Sequence, residues 1–65
     1  MIISVNGIDE VKDFPVSLCD SMIFMDYNSN TFYVKTHMRN DKVKIGVYNF
    51  QPKEIIYVQD QKASN

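Results

Sequence analysis

The chain has 65 residues, and its 7 basic and 8 acidic side chains leave a formal net charge of −1. A chain this short forms one domain (residues 1–65, with a polar tail at 59–65), and the near-neutral charge argues against a dedicated nucleic-acid-binding protein. The one cysteine, Cys19, excludes a disulfide within the chain, and a single histidine, His37, leaves too few ligands for a zinc site built from Cys and His alone.

The same composition argues against an enzyme. The sequence contains none of the GxGxxG, GKS/T, HExxH or GxSxG motifs. A domain of this size also has little scaffold left to hold convergent catalytic groups once its core is built. We therefore expect no enzymatic activity and no cofactor or metal. We expect no membrane partner either, because no apolar run approaches the ~20 residues that span a bilayer.

The N-terminal part predicts a short strand followed by a helical turn. Residues 1–5 are mostly apolar, and Asn6-Gly7 is a turn signal. Residues 8–12 have the apolar spacing of one helical turn, which Asn6 would cap. Phe14 precedes Pro15 and is therefore restricted to extended backbone, so the helix has to end there.

From residue 21 onward the pattern predicts β-strands. Residues 21–26 and 31–36 are rich in apolar, β-branched and aromatic residues, and the turn-forming residues 27–30 separate them, which predicts a hairpin. In its second strand Phe32 and Val34 face one way, and Tyr33 and Lys35 face the other. After a polar connection, residues 43–48 alternate in the manner of a half-buried strand.

The predicted fold is mainly β: a small antiparallel meander, sandwich or barrel-like sheet of about 4–5 strands, with one short helical turn near residues 8–12. The predicted core is built from the four phenylalanines, Phe14, Phe24, Phe32 and Phe50. The tyrosines are expected at turns or on the opposite strand faces. A domain this small with no disulfide or zinc is expected to be marginal by itself, which favours oligomerisation or docking on another protein.

Residues 54–58 predict a final strand that is apolar on both faces. Alternation assigns Ile55 and Tyr57 to one side, and Ile56 and Val58 to the other. Because one small core uses one face, we expect one pair in the core and the other pair buried only in an assembly. The predicted interface combines this strand with neighbouring aromatic residues, and comprises Ile55, Ile56, Tyr57, Val58, Tyr48, Phe50 and Tyr33.

Charge is distributed unevenly along the chain. Residues 1–30 carry one basic and five acidic residues, and residues 31–65 carry six basic and three acidic residues. The basic half offers a weak contact to nucleic acid through Lys35, Arg39, Lys42 and Lys44. We interpret Cys19 as an ordinary half-buried thiol and His37 as a solvated loop histidine. The aspartates Asp20, Asp26 and Asp41 lack calcium-loop spacing and are interpreted as solvated strand and loop ends.

Several short motifs resemble a class of very short bacteriophage proteins from Gram-positive hosts. The motifs are Phe14-Pro15-Val16, Met25-Asp26, Thr31-Phe32-Tyr33-Val34-Lys35, and Tyr48-Asn49-Phe50 with Glu54-Ile55. They are similar to the YPV-like start, MDS…FYIK hairpin and closing F…KEI strand of that class, over residues 14–55. The chain departs from the pattern at residues 27–30, where an acidic Ser-Glu pair is more usual, and at Ser17-Leu18, which replaces a Pro-Gly turn.

The resemblance implies a virion structural or assembly protein without enzymatic activity. It would be located in the virion, and in the host cytoplasm during assembly, and would dock in multiple copies on a larger capsid or core protein. A narrower possibility within the class is an inner-capsid or core-anchoring protein of a podovirus. Two alternatives stay open: a phage-encoded small inhibitor that binds a host protein, and a small nucleic-acid-binding barrel.

Overall fold

Four strands and one helix account for the regular structure of residues 2–59, the part of the chain that the computed structural model describes. In chain order they are β1 (Ile2–Ser4), α1 (Ile8–Asp13), β2 (Ser21–Asp26), β3 (Thr31–His37) and β4 (Val43–Asn49). The strands form one sheet in the order β1-β2-β3-β4. The predicted small, mainly β fold with a short helix is confirmed.

The sheet is mixed, because β1 is parallel to β2 whereas the other neighbours are antiparallel. Parallel neighbours need a crossover connection, and α1 supplies it. This crossover places the helix against one face of the sheet. That face is called the covered face below, and the opposite face, which has no layer over it within residues 2–59, is called the open face. The chain therefore forms a single open sheet, and the sandwich and barrel alternatives do not apply to the described residues.

The predicted helical turn is confirmed, with a different cap. Gly7 is the N-cap residue, with φ 94°, and no side chain caps the helix. Instead, the backbone N–H of Asn6 donates to Oε1 of Glu10 at 3.2 Å. The helix ends at Asp13, because the next residue, Phe14, has the extended backbone that a residue before proline requires.

The β2–β3 hairpin forms in the predicted register and with the predicted loop, residues 27–30. Ile23 pairs with Val34, and Phe24 pairs with Tyr33. The loop closes because the Asn28 N–H donates to Oδ1 of Asp26 at 3.0 Å, and because Asn30 takes a left-handed backbone with φ 51°. Asparagine tolerates that conformation better than most residues.

The core lies between α1 and the covered face. Its buried apolar residues are Val5, Val11, Phe24 and Tyr33, with Ile3, Ile8, Phe14, Met22 and Ile45 packed around them. Phe14 and Phe24 meet edge to face, with ring centroids 5.4 Å apart. The predicted core was therefore right for Phe14 and Phe24 and wrong for Phe32 and Phe50, which lie together on the open face. The covered face of β3 is instead filled by Tyr33, which is 6% exposed.

The predicted strand at residues 54–58 is absent: residues 50–59 have no regular secondary structure in the part of the chain that is described. Pro52 lacks a backbone N–H and so interrupts a ladder that would otherwise continue from β4. The segment extends away from the sheet, and the Cα radius of gyration is 15.5 Å, against about 11 Å for a compact chain of this length.

Candidate docking surface

The open face of the sheet carries apolar side chains that nothing in residues 2–59 covers. The registers place on it, from β1 to β4, the side chains of Ile2, Ile23, Met25, Val34, Phe32 and Tyr48. Ile2, Ile23 and Tyr48 are exposed by 52%, 42% and 49%. An apolar sheet face left in water is unfavourable, so a surface of this kind is typical of an interaction site.

An aromatic cluster closes one end of the open face. The rings of Phe32 and Tyr48 stack, with centroids 5.0 Å apart and an interplanar angle of 15°. Phe50 lies beside Phe32, with centroids 6.3 Å apart. Tyr48 reaches this position by lying across Gly46, where an added Cβ would come within 2.7 Å of the tyrosine ring. The glycine is therefore needed for the close approach of the ring.

The C-terminal segment, residues 54–58, is the second apolar surface. Ile55, Ile56, Tyr57 and Val58 are exposed by 62%, 72%, 89% and 76%. The expectation that one pair of these residues lies in the core is therefore wrong, because both pairs are exposed. An exposed, β-prone apolar segment of this kind is suited to adding onto a partner or packing against one.

Of the seven predicted interface residues, the structure excludes Tyr33 from the surface. Tyr48 and Phe50 belong to the aromatic cluster on the open face, and the four residues of the C-terminal segment are exposed. Tyr33 belongs to the core. The Phe32 side chain, which the sequence assigned to the core, takes its place beside Tyr48. The hairpin register could have shown this from the sequence. Tyr33 pairs with Phe24 across the two strands, so both side chains lie on the same face, and Phe32 lies on the other face.

Lys35 corrects the predicted basic contact to nucleic acid. Its side chain is 6% exposed, and its ammonium donates to the backbone carbonyls of Val11, Lys12 and Phe14 at 2.8, 2.9 and 2.6 Å. All three ammonium hydrogens are therefore used inside the protein. Its positive charge also lies at the C-terminal end of α1, where the helix dipole favours a cation. The other three basic residues of that prediction, Arg39, Lys42 and Lys44, are exposed.

His37 is bound on both sides instead of being solvated. It is the last residue of β3, and its side chain is 21% exposed. Nδ1 lies 2.9 Å from the Val16 carbonyl oxygen, and Nε2 lies 2.6 Å from Oδ1 of Asp41. The Asp41 carboxylate and the Val16 carbonyl raise the pKa of His37 above its ordinary value of 6.5. The imidazole thus joins the chain around residue 16 to the turn after β3.

The remaining polar groups form no further site in the described residues. Cys19 is exposed, not half-buried, and adopts a left-handed backbone with φ 65° in the turn closed by the Asp20 N–H and the Ser17 carbonyl. Asp26 is buried, at 7% exposure, because its carboxylate closes the hairpin loop. Residues 2–59 contain no cluster of three His, Cys, Asp or Glu side chains that could hold a metal ion. An open groove of about 510 Å³ lies beside the aromatic cluster, lined by Ser29, Asn30, Asn49, Phe50 and Gln51.

No protein-family model matches the chain, and no curated protein or solved structure matches it. Among the described residues, no helix is long and apolar enough to cross a membrane. The function is therefore inferred from the exposed surfaces of the chain together with the resemblance of its short motifs.

Proposed function

We propose that the chain is a non-enzymatic structural or assembly protein of a bacteriophage particle, which docks on a larger capsid or core protein. The open face and the C-terminal segment are its contact surfaces. The observation that carries the proposal is the imbalance between buried and exposed apolar side chains. In the described residues four hydrophobic residues are buried, whereas eleven large ones are exposed.

The exposed area agrees with a missing partner. The accessible surface is 5488 Å², whereas the scaling law for folded monomers gives about 4,300 Å² for 7.6 kDa. The excess of roughly 1,200 Å² includes the apolar side chains of residues 55–58, which are 62–89% exposed. Docking on a larger protein would remove this surface from water.

The polar groups favour binding over catalysis. His37 is the one histidine, and both of its ring nitrogens face acceptors within the protein. It has no free nitrogen with which to take a proton from a substrate. Lys35, the one buried lysine in residues 2–59, has all three of its hydrogens occupied by carbonyls.

Mass spectrometry of purified phage particles tests the proposal. The double variant Ile56→Ser/Val58→Ser removes apolar anchors that are 72% and 76% exposed, so its far-UV circular dichroism should match that of the unchanged chain. Truncating central anchors of an interface typically costs ~2 kcal/mol or more, and we expect copy number in the particle to fall about thirtyfold. The control is Leu18→Ser, which removes an exposed apolar side chain (55%) before β2, outside both surfaces, and should leave incorporation unchanged.

Three outcomes would contradict this function. In the first, the unchanged chain is absent from purified particles. In the second, the double variant reaches the same copy number as the control. In the third, Leu18→Ser lowers copy number as much as the double variant does. Absence from particles combined with stable binding to a host enzyme would instead support the inhibitor alternative.

A further inference from the structure

The long edge of the sheet is β4. Within residues 2–59 the sheet has two edges, a three-residue strand at β1 and a seven-residue strand at β4. Natural proteins protect edges with short strands, prolines, bulges or charges. β1 is short, whereas β4 has no proline and pairs without a bulge through all seven residues. Lys44 is its one charged residue.

The backbone hydrogen bonds determine which groups of β4 point outward. Phe50 donates its N–H to Asn30 at 2.9 Å, and Met38 donates its N–H to Lys42 at 2.7 Å, at the two ends of the β3–β4 ladder. Hydrogen-bonded pairs alternate along an antiparallel ladder, so the even-numbered residues of β4 are bonded to β3. The N–H and C=O groups of the odd-numbered residues therefore point away from the sheet, and these residues are Val43, Ile45, Val47 and Asn49.

We propose that the β4 strands of two copies of this chain pair antiparallel about a two-fold axis at Gly46, which joins the two sheets into one. In this register Ile45 forms a hydrogen-bonded pair with Val47 of the second copy, and Val43 does so with Asn49. Every outward N–H and C=O of the strand then has a partner. Moving the register by two residues in either direction would shorten the overlap from seven residues to five.

Side chains across the axis are also complementary. On the covered face, Ile45 and Val47 form two symmetric apolar pairs, and Val47 is 55% exposed in the single chain. On the open face, Lys44 lies opposite Tyr48 of the second copy in a non-hydrogen-bonded pair, where side chains approach most closely. An ammonium beside a tyrosine ring is attracted to the ring face.

The charge of Lys44 does not oppose this register. The two Lys44 residues are four strand positions out of register with each other, which places their backbones about 14 Å apart at ~3.4 Å per residue. This separation exceeds the Debye length of ~8 Å at physiological ionic strength, so their repulsion is largely screened. A register that placed the two Lys44 residues opposite each other would bring their positive charges together and would be disfavoured by their repulsion.

The inference is independent of the proposed function, because pairing through β4 leaves the C-terminal segment and most of the open face free. Self-association and docking on a particle can therefore succeed or fail separately.

A cysteine pair tests the register directly. In a Cys19→Ser background, Lys44→Cys/Tyr48→Cys places two thiols opposite each other across the axis, at the short Cα separation of a non-hydrogen-bonded pair, which suits a disulfide. With a mild oxidant such as copper phenanthroline, we expect a covalent dimer. The matched controls are the two single cysteine variants, which should stay monomeric on a non-reducing gel. Equal cross-linking of the single variants, or none in the double variant, would overturn the register.

Sedimentation equilibrium tests the pairing without cysteines. The Val47 N–H is not used by β3, so Val47→Pro removes hydrogen bonds only to the second copy and should weaken dimerisation at least tenfold. Val47→Thr keeps the N–H and the branched shape, and should dimerise much as the unchanged chain does. A monomer at every concentration would overturn the proposal. So would a dimer that Val47→Pro leaves unchanged, which would assign self-association to another surface.

Discussion

His37 shows how a residue that the sequence left in solvent becomes part of the structure. Its two ring nitrogens face the Val16 carbonyl and the Asp41 carboxylate, and both of these groups only accept hydrogen bonds. Both nitrogens can donate at the same time only in the protonated imidazolium, so these two partners favour the charged form of His37. Asp41 reaches His37 from a left-handed backbone, with φ 68°, at the end of the turn that Met38 and Asp41 close.

We predict that stability falls as the pH rises through the raised pKa of His37. A pKa that is higher in the folded state than in the unfolded state means that protonation favours folding. The contribution is fully present below the unfolded value of 6.5 and is lost as the pH passes the folded value. Urea midpoints at several pH values, with an NMR titration of the His37 ring, measure both effects.

Asp41→Asn is the matched control for the His37 titration. Asparagine also tolerates the left-handed backbone, but it removes the carboxylate, so the pKa of His37 should move back toward 6.5. The decline in stability above pH 6.5 should then be smaller and should end at lower pH than in the unchanged chain. A His37 pKa at or below 6.5 in the unchanged chain would contradict the predicted role of Asp41.

At the scale of elements, Lys35 connects the helix to the sheet. α1 has only six residues, too few to be stable alone, and of its last carbonyls, that of Val11 accepts a backbone hydrogen bond from the cap residue Phe14, at 3.2 Å. The Lys35 ammonium reaches over from β3 and caps this end of the helix by donating hydrogen bonds to three carbonyls. The lysine therefore belongs among the core residues although its type is normally exposed.

We predict that Lys35→Met lowers the free energy of unfolding by about 2–4 kcal/mol. Methionine keeps much of the length and apolar stem of lysine, so the main loss is that of charged hydrogen bonds to buried carbonyls. Urea denaturation followed by circular dichroism measures the change. Lys53→Met, at an exposed position outside the sheet and outside both proposed contact surfaces, is the control and should change stability by less than about 0.5 kcal/mol. Equal effects of the two substitutions would contradict the capping role.

At the scale of the whole molecule, one sheet with one covered face leaves a small core. The largest fully buried side chains are Phe24 and Val11, whereas eleven large hydrophobic side chains of the described residues are exposed. The polar groups are well arranged by comparison, since every buried side-chain nitrogen or oxygen in residues 2–59 has a hydrogen-bond partner. What limits stability is the amount of apolar burial.

We predict that the isolated chain is marginally stable, with a free energy of unfolding below about 5 kcal/mol, the lower end for small domains. Its thermal midpoint should rise with protein concentration, because association through exposed surfaces stabilises the folded state. Scanning calorimetry over a hundredfold concentration range measures this. A cooperative midpoint well above ~65 °C that does not change with concentration would contradict the prediction.

The sequence by itself determined the local elements. The hairpin of β2 and β3, its loop, the short helix before Pro15 and the alternation of β4 follow from turn residues, β-propensity and spacing, which act over a few residues. The sequence also predicts Tyr48 and the apolar residues 55–58 as interface candidates, and the structure leaves all of them exposed.

Only the tertiary structure decided which face of each strand is covered. Alternation gives two faces for β3 but does not say which one α1 lies against, and the parallel pairing of β1 with β2 made that choice. Tyr33 and Lys35 were therefore drawn into the core, and Phe32 was left on the open face. The roles of Lys35 and His37 depend on carbonyls more than twenty residues away, and no pattern in neighbouring residues records such contacts. Likewise, a strand at residues 54–58 requires a neighbour to pair with, and local propensity does not provide one.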